Sequence, residues 1–63
     1  MNNYKCLLSI DEAADHLNIS PFTLRAWVHQ GRVPYIKLGS SVLFDNDDLR
    51  DFIEQHRVNP HSL

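Results

Sequence analysis

Apolar residues recur with helical spacing near the start of the chain, at intervals of three and four that place their side chains on one face of a helix. Ser9 and Glu12 have the spacing of a capping box, in which each side chain accepts a hydrogen bond from the other residue's backbone amide. The pattern predicts an amphipathic helix directly after Ser9, preceded by a strand-like segment at Tyr4 to Leu8. The apolar face of this helix comprises Ile10, Ala13, Ala14 and Leu17.

A second short helix is predicted to follow a turn at Asn18-Ile19-Ser20. Ser20 suits the N-cap, Pro21 suits the first helical position, and Gly31 supplies the left-handed residue that ends a helix. One face carries the packing residues Leu24, Trp27 and Val28, and the opposite face offers Phe22, Arg25, Ala26 and His29. Two short helices joined by a three-residue turn form a helix-turn-helix.

The pattern beyond Gly31 changes to strand-like alternation, with Ile36 and Leu38 on one face and Tyr35 and Lys37 on the other. Val42 and Phe44 continue the alternation, which predicts a two-stranded wing with Gly39-Ser40-Ser41 at its tip. Asp45 is then expected to cap a third helix that buries Leu49, Phe52 and Ile53 and frays near His56 or Arg57. The predicted fold is therefore a winged helix-turn-helix, mainly α with a small β-hairpin.

Length and charge narrow the classes of function. Sixty-three residues make one domain, with a core expected over about residues 7–57 and a loose tail at 58–63. The formal charge is −2, which disfavours nucleic acid binding, but five of the eight acidic residues lie from Asp45 onward. One face of the preceding part can therefore still be positive. The acidic face of the third helix is either a solvated surface or a surface for a basic partner.

Candidate chemistry is sparse, and we expect neither an enzyme nor a cofactor. A domain this small has little room for a pocket, and no nucleophile has an identifiable base. The single cysteine, Cys6, excludes an internal disulfide and indicates a reducing cytoplasm, and the four histidines lack the spacing of a metal site. No apolar run approaches the length of a membrane span.

Several segments, in this order and spacing, resemble the excisionase-type, MerR-like winged helix-turn-helix domains of phage and mobile-element proteins. The resemblance implies that the second helix enters the major groove and that the wing touches the neighbouring DNA backbone or minor groove. The segments that carry the resemblance are Leu8 to Ala14, Leu17 to Pro21, Thr23-Leu24, Trp27 to Pro34, Lys37 to Gly39, Val42 to Phe44 and Asp48-Leu49.

The residues expected near DNA lie on the second helix, at its ends and on the wing. Arg25 is the strongest candidate for reading a base, because arginine can donate two hydrogen bonds to guanine. Phe22 is ambiguous, since it can contact a thymine methyl group, bind a protein or border the core. The full predicted set is Ser20, Pro21, Phe22, Thr23, Arg25, Ala26, His29, Arg32, Lys37, Ser40 and Ser41.

The function predicted from these observations is sequence-specific binding of double-stranded DNA. Within that class we expect an excisionase, also called a recombination directionality factor, that acts architecturally with an integrase or recombinase and with further copies of itself on DNA. A prophage-type transcriptional regulator is the alternative within the class. A protein-interaction adaptor with weak DNA affinity is the alternative outside it, favoured by the net negative charge.

Overall fold

The computed structural model describes residues 7–58 and contains three helices and three strands. Parts of two predicted segments lie outside the described residues: residues 4–6 of the strand-like segment at Tyr4 to Leu8, and residues 59–63 of the tail at 58–63. In chain order the elements are β1 (Leu7–Leu8), α1 (Ile10–Leu17), α2 (Pro21–His29), β2 (Ile36–Leu38), β3 (Ser41–Asp45) and α3 (Asn46–Gln55).

Local hydrogen bonds set the ends of the helices. The capping box is present, with the Glu12 amide donating to Ser9 Oγ at 3.1 Å and the Ser9 amide donating to Glu12 Oε1 at 2.9 Å. Asn18 ends α1 in the left-handed conformation, with φ of 61°, which leaves a tight turn before α2. Ser20 caps α2, and Gly31 ends it with φ of 68°. The predicted helix-turn-helix is confirmed.

The expected two-stranded wing is present as β2 and β3, and β1 adds a third strand on the other side of β3, which gives an antiparallel sheet in the order β1-β3-β2. β1 pairs with the end of β3 through Leu8 and Phe44, so the segment before α1 joins the sheet. β2 and β3 are connected by Gly39 and Ser40 alone, because Leu38 pairs with Ser41. Ser41 is therefore a strand residue and not part of the tip. Gly39 has φ of 61°, which suits the first central position of a type II′ turn.

The core lies where α1, α2, α3 and the sheet meet. Ala13 and Ala14 are fully buried, and their small side chains let α2 approach α1 closely. Two expected core residues are more exposed than their patterns indicate: Trp27 is half-buried, and Ile53 is 38% exposed. Leu38, on the wing, is 55% exposed. The buried core residues are Ala13, Ala14, Leu24, Val33, Phe44 and Leu49.

Candidate nucleic-acid interface

A groove of about 480 Å³ lies between α2 and the wing. α2 contributes Arg25 and His29, which lie one helical turn apart on its exposed face. The wing contributes Lys37 and Ser40. The structure therefore brings together four of the predicted site residues from two elements. The complete lining is Ile10, Arg25, Val28, His29, Tyr35, Lys37, Ser40 and Val42.

The charge of this groove differs from that of the whole chain. Its lining contains one arginine, one lysine and no acidic residue, although the chain carries a formal charge of −2. Within residues 7–58, Arg25 and Lys37 have no hydrogen-bond or ion-pair partner. The other arginines of this part of the chain are engaged: Arg32 with Trp27 and Gln30, Arg50 with Asp47, and Arg57 with Glu54. The two free cations of residues 7–58 thus face one groove.

The floor of the groove is apolar and comes from residues whose periodicity predicted packing. Ile10, Val28 and Val42 are all half-buried, so each packs on the core and also borders the groove. Such a floor fixes the angle between α2 and the wing, because moving either element would expose apolar surface. Arg25 and Lys37 therefore project from elements whose relative positions are held by packed apolar side chains.

Tyr35 is a groove residue that the predicted site omitted. It lies just before β2, is 43% exposed, and can donate its hydroxyl to a phosphate oxygen. The strand alternation had already placed Tyr35 on the same face as Lys37, and that shared face was the signal that pointed to it.

The N-terminal residues of α2 lie outside the groove, and two of them have structural roles. Ser20 Oγ accepts a hydrogen bond from the Thr23 amide at 3.1 Å and donates one to Thr23 Oγ1 at 3.0 Å. Thr23 is half-buried, whereas Pro21 and Phe22 are exposed. The two hydroxyl groups hold the start of α2 in one conformation. Contact of these four residues with DNA stays a prediction.

Ala26 and Arg32 are placed differently from the expectation. Ala26 is half-buried and not fully on the exposed face of α2. Arg32 lines a different groove, where its guanidinium carbon lies 5.1 Å from the centroid of the Trp27 ring and its Nη1 donates to Gln30 Oε1 at 3.3 Å. Arg32 lies just beyond Gly31, which follows the end of α2 and has φ of 68°.

The second groove, of about 410 Å³, is mainly apolar and lies between α2 and α3. At its rim the Arg57 guanidinium binds both carboxylate oxygens of Glu54, at 2.9 and 2.6 Å. These hydrogen bonds, together with the positive charge of Arg57, lower the pKa of Glu54 below its ordinary value of 4.5. The lining residues are Leu17, Ile19, Trp27, Arg32, Phe52, Ile53, His56 and Arg57.

Residues 7–58 offer neither a metal site nor a membrane-spanning helix. No group of three or more His, Cys, Asp or Glu residues in this range could hold a metal ion. No helix in this range combines the length and the apolar character that crossing a bilayer requires.

Comparison with known proteins identifies a family. A family model described as a helix-turn-helix domain matches residues 7–57, which is most of the chain and includes both grooves. No curated protein sequence and no solved structure matches the chain. The family agrees with the observed order of helices, turn and wing. The chain belongs to this family of excisionase-like helix-turn-helix domains.

Proposed function

We propose that this protein binds double-stranded DNA sequence-specifically, with α2 in the major groove and the wing against the adjacent backbone. One observation carries the proposal: Arg25 and Lys37, the cations without a partner in residues 7–58, face the same acid-free groove. Phosphate neutralisation needs available cations, and base reading needs an exposed helix face beside them. In helix-turn-helix proteins the second helix supplies this face.

Each of the five polar side chains of the groove has a role in this arrangement. Arg25 donates to a base edge in the major groove, with guanine as its preferred partner. His29 lies one turn further along α2 and donates to a base or a phosphate. Lys37, Ser40 and Tyr35 bind the phosphate backbone from the wing, which sets the register of α2 without reading sequence.

Within this class we propose an excisionase, or recombination directionality factor, of a phage or other mobile element. A single domain of this size buries only about 600–1,000 Å² on DNA, and this one offers few cations, so one copy binds weakly. Useful affinity then requires copies on adjacent sites or a recombinase partner. Asp48 and Asp51 on α3 are exposed and unpartnered within residues 7–58. Their negative charges are available to contact a basic surface of a neighbouring copy or of the recombinase. The protein assists assembly on DNA and performs no catalysis of its own.

Selection from a random pool of double-stranded DNA tests the proposal directly. We expect an enriched consensus and an affinity that falls as salt increases, because bound phosphates release counterions. DNA carrying one or two adjacent copies of the site then measures cooperativity, and a bending assay measures the architectural effect. A bent, cooperatively bound complex supports the excisionase role. Binding to one site without bending favours the transcriptional regulator.

The second candidate function is a protein-interaction adaptor. The groove between α2 and α3 favours it, because Trp27, Phe52 and Ile53 present apolar surface on a side separate from Arg25 and Lys37. If the selection enriches no DNA sequence, and if the binding of DNA does not change with salt concentration, the adaptor function would replace the DNA-binding proposal.

A further inference from the structure

Phe22 is the most exposed large hydrophobic residue of the described chain, with 82% of its surface accessible. The sequence left three roles for it: contact with a thymine methyl group, contact with a protein, or a place at the edge of the core. This exposure excludes the third, because a side chain at the edge of the core is partly covered by its neighbours.

Phe22 lies about one helical turn before Arg25, which lines the groove between α2 and the wing. Phe22 is the second residue of α2, and Arg25 follows three residues later on the same face, about 4.5 Å further along the helix axis. In a helix-turn-helix docked on DNA, the N-terminal residues of the second helix reach the base edges. An aromatic side chain at this position therefore enters the major groove beside the arginine.

The backbone that carries Phe22 is held in place before any ligand binds. Pro21 restricts the preceding φ, and the Ser20 and Thr23 hydroxyl groups bond across the first turn at 3.0 Å. An apolar group fixed in this way binds with little loss of conformational entropy. The available apolar target in the major groove is the C5-methyl group of thymine, which none of the other three bases carries.

We propose that Phe22 determines specificity by packing on a thymine methyl group within one or two base pairs of the guanine read by Arg25. This inference rests on the proposed DNA-binding function and adds to it the type of base selected and its position. Because one buried methyl group contributes about 0.8 kcal/mol, removing it should weaken binding about fourfold.

Replacement of thymine by deoxyuridine tests this inference, since it removes the methyl group and leaves the base-pairing edge unchanged. Each thymine of the selected site is replaced in turn, and the affinities of the parent, Phe22→Ala, Phe22→Leu and Val58→Ala are compared. Val58 is the matched control, since it is also an apolar residue and 76% exposed but follows α3. Thermal denaturation should show that Phe22→Ala is as stable as the parent.

The expected result is a fourfold loss at one thymine near the guanine for the parent, Phe22→Leu and Val58→Ala. Phe22→Ala should bind thymine and deoxyuridine equally. Undiminished binding of the parent to every deoxyuridine site would overturn the inference while leaving the DNA-binding function intact. Loss of cooperativity in Phe22→Ala with the deoxyuridine penalty retained would show a protein contact instead. Absence of any selected site would refute the proposed function, and this inference with it.

Discussion

Substitutions of Arg25 and of Arg32 should affect different properties, although both residues are exposed arginines in or just after α2. The change at Arg25 should reduce specific DNA binding, and the change at Arg32 should reduce stability. Arg25 faces the groove between α2 and the wing and has no partner within residues 7–58. Arg32 faces the groove between α2 and α3 and lies over the Trp27 ring. Each change to alanine removes one positive charge, so the two variants are matched in net charge.

The magnitudes follow from these contacts. A bidentate arginine–guanine pair contributes about 1–3 kcal/mol of discrimination, so Arg25→Ala should weaken specific binding about 5- to 150-fold and relax the preference at one base pair. An exposed cation–π contact contributes about 0.5–1 kcal/mol, so Arg32→Ala should lower the free energy of unfolding by that amount. Arg32→Ala should leave the base preference unchanged, and Arg25→Ala should leave the stability unchanged.

Two measurements on each variant are sufficient. Fluorescence anisotropy with a labelled site at two salt concentrations gives affinity and its salt dependence. Urea denaturation followed by the emission of Trp27, the single tryptophan, gives stability and also reports directly on the ring that Arg32 covers. Equal losses of specific affinity in both variants would mean that the DNA surface has been assigned to the wrong groove.

Four further predictions concern the wing, the core, the caps and one ion pair. Lys37→Ala should weaken binding to all DNA sequences alike and reduce the slope of log affinity against log salt concentration by about one. A changed consensus sequence would contradict the phosphate-binding role of Lys37. Leu24→Ala should cost about 2–5 kcal/mol of stability because Leu24 is fully buried, and a denaturation midpoint like the parent's would contradict that burial. Ser9→Ala should cost about 1 kcal/mol by removing the cap of α1, and no loss in the same assay would show that the capping box is not needed. The pKa of Glu54, measured by NMR titration, should lie below 4.5 and return towards that value in Arg57→Gln. Since the folded state lowers this pKa, the pair stabilises the fold above the unfolded value, and that contribution is lost as pH falls through the folded pKa.

The ends of the helices were determined by the sequence, because the interactions that make them join near neighbours. Ser9 and Glu12 cap α1, Ser20 caps α2, and Asp45 Oδ1 accepts the Asp47 amide at 2.7 Å to begin α3. Each of these hydrogen bonds spans two or three residues, so the local order of side chains is enough to specify it. Gly31 similarly permits the positive φ that follows α2, because a residue without a Cβ atom adopts this conformation without a steric cost.

The exposed face of α2 was also predictable, because helical periodicity separates Leu24 from Arg25 whatever the rest of the chain does. Periodicity does not determine what fraction of each side chain is buried. Trp27 packs against the Phe52 ring, with centroids 6.1 Å apart, and still remains half-buried because it lines the open groove between α2 and α3. Its degree of burial depends on where α3 docks.

Tertiary structure alone decided the pairing of β1 with β3, the position of Arg32 and the meeting of Tyr35 and Arg25 at one groove. Leu7 pairs with Asp45, 38 residues further along the chain, so no local pattern specifies the partner of β1 and the packing of the intervening segments brings the two strands together. Arg32 follows a helix-ending glycine, where no period fixes the direction of a side chain, so the nearby Trp27 ring determines it. Tyr35 and Arg25 line the same groove because α1 packs against both α2 and β3, and this packing, not the spacing along the chain, brings the two segments together.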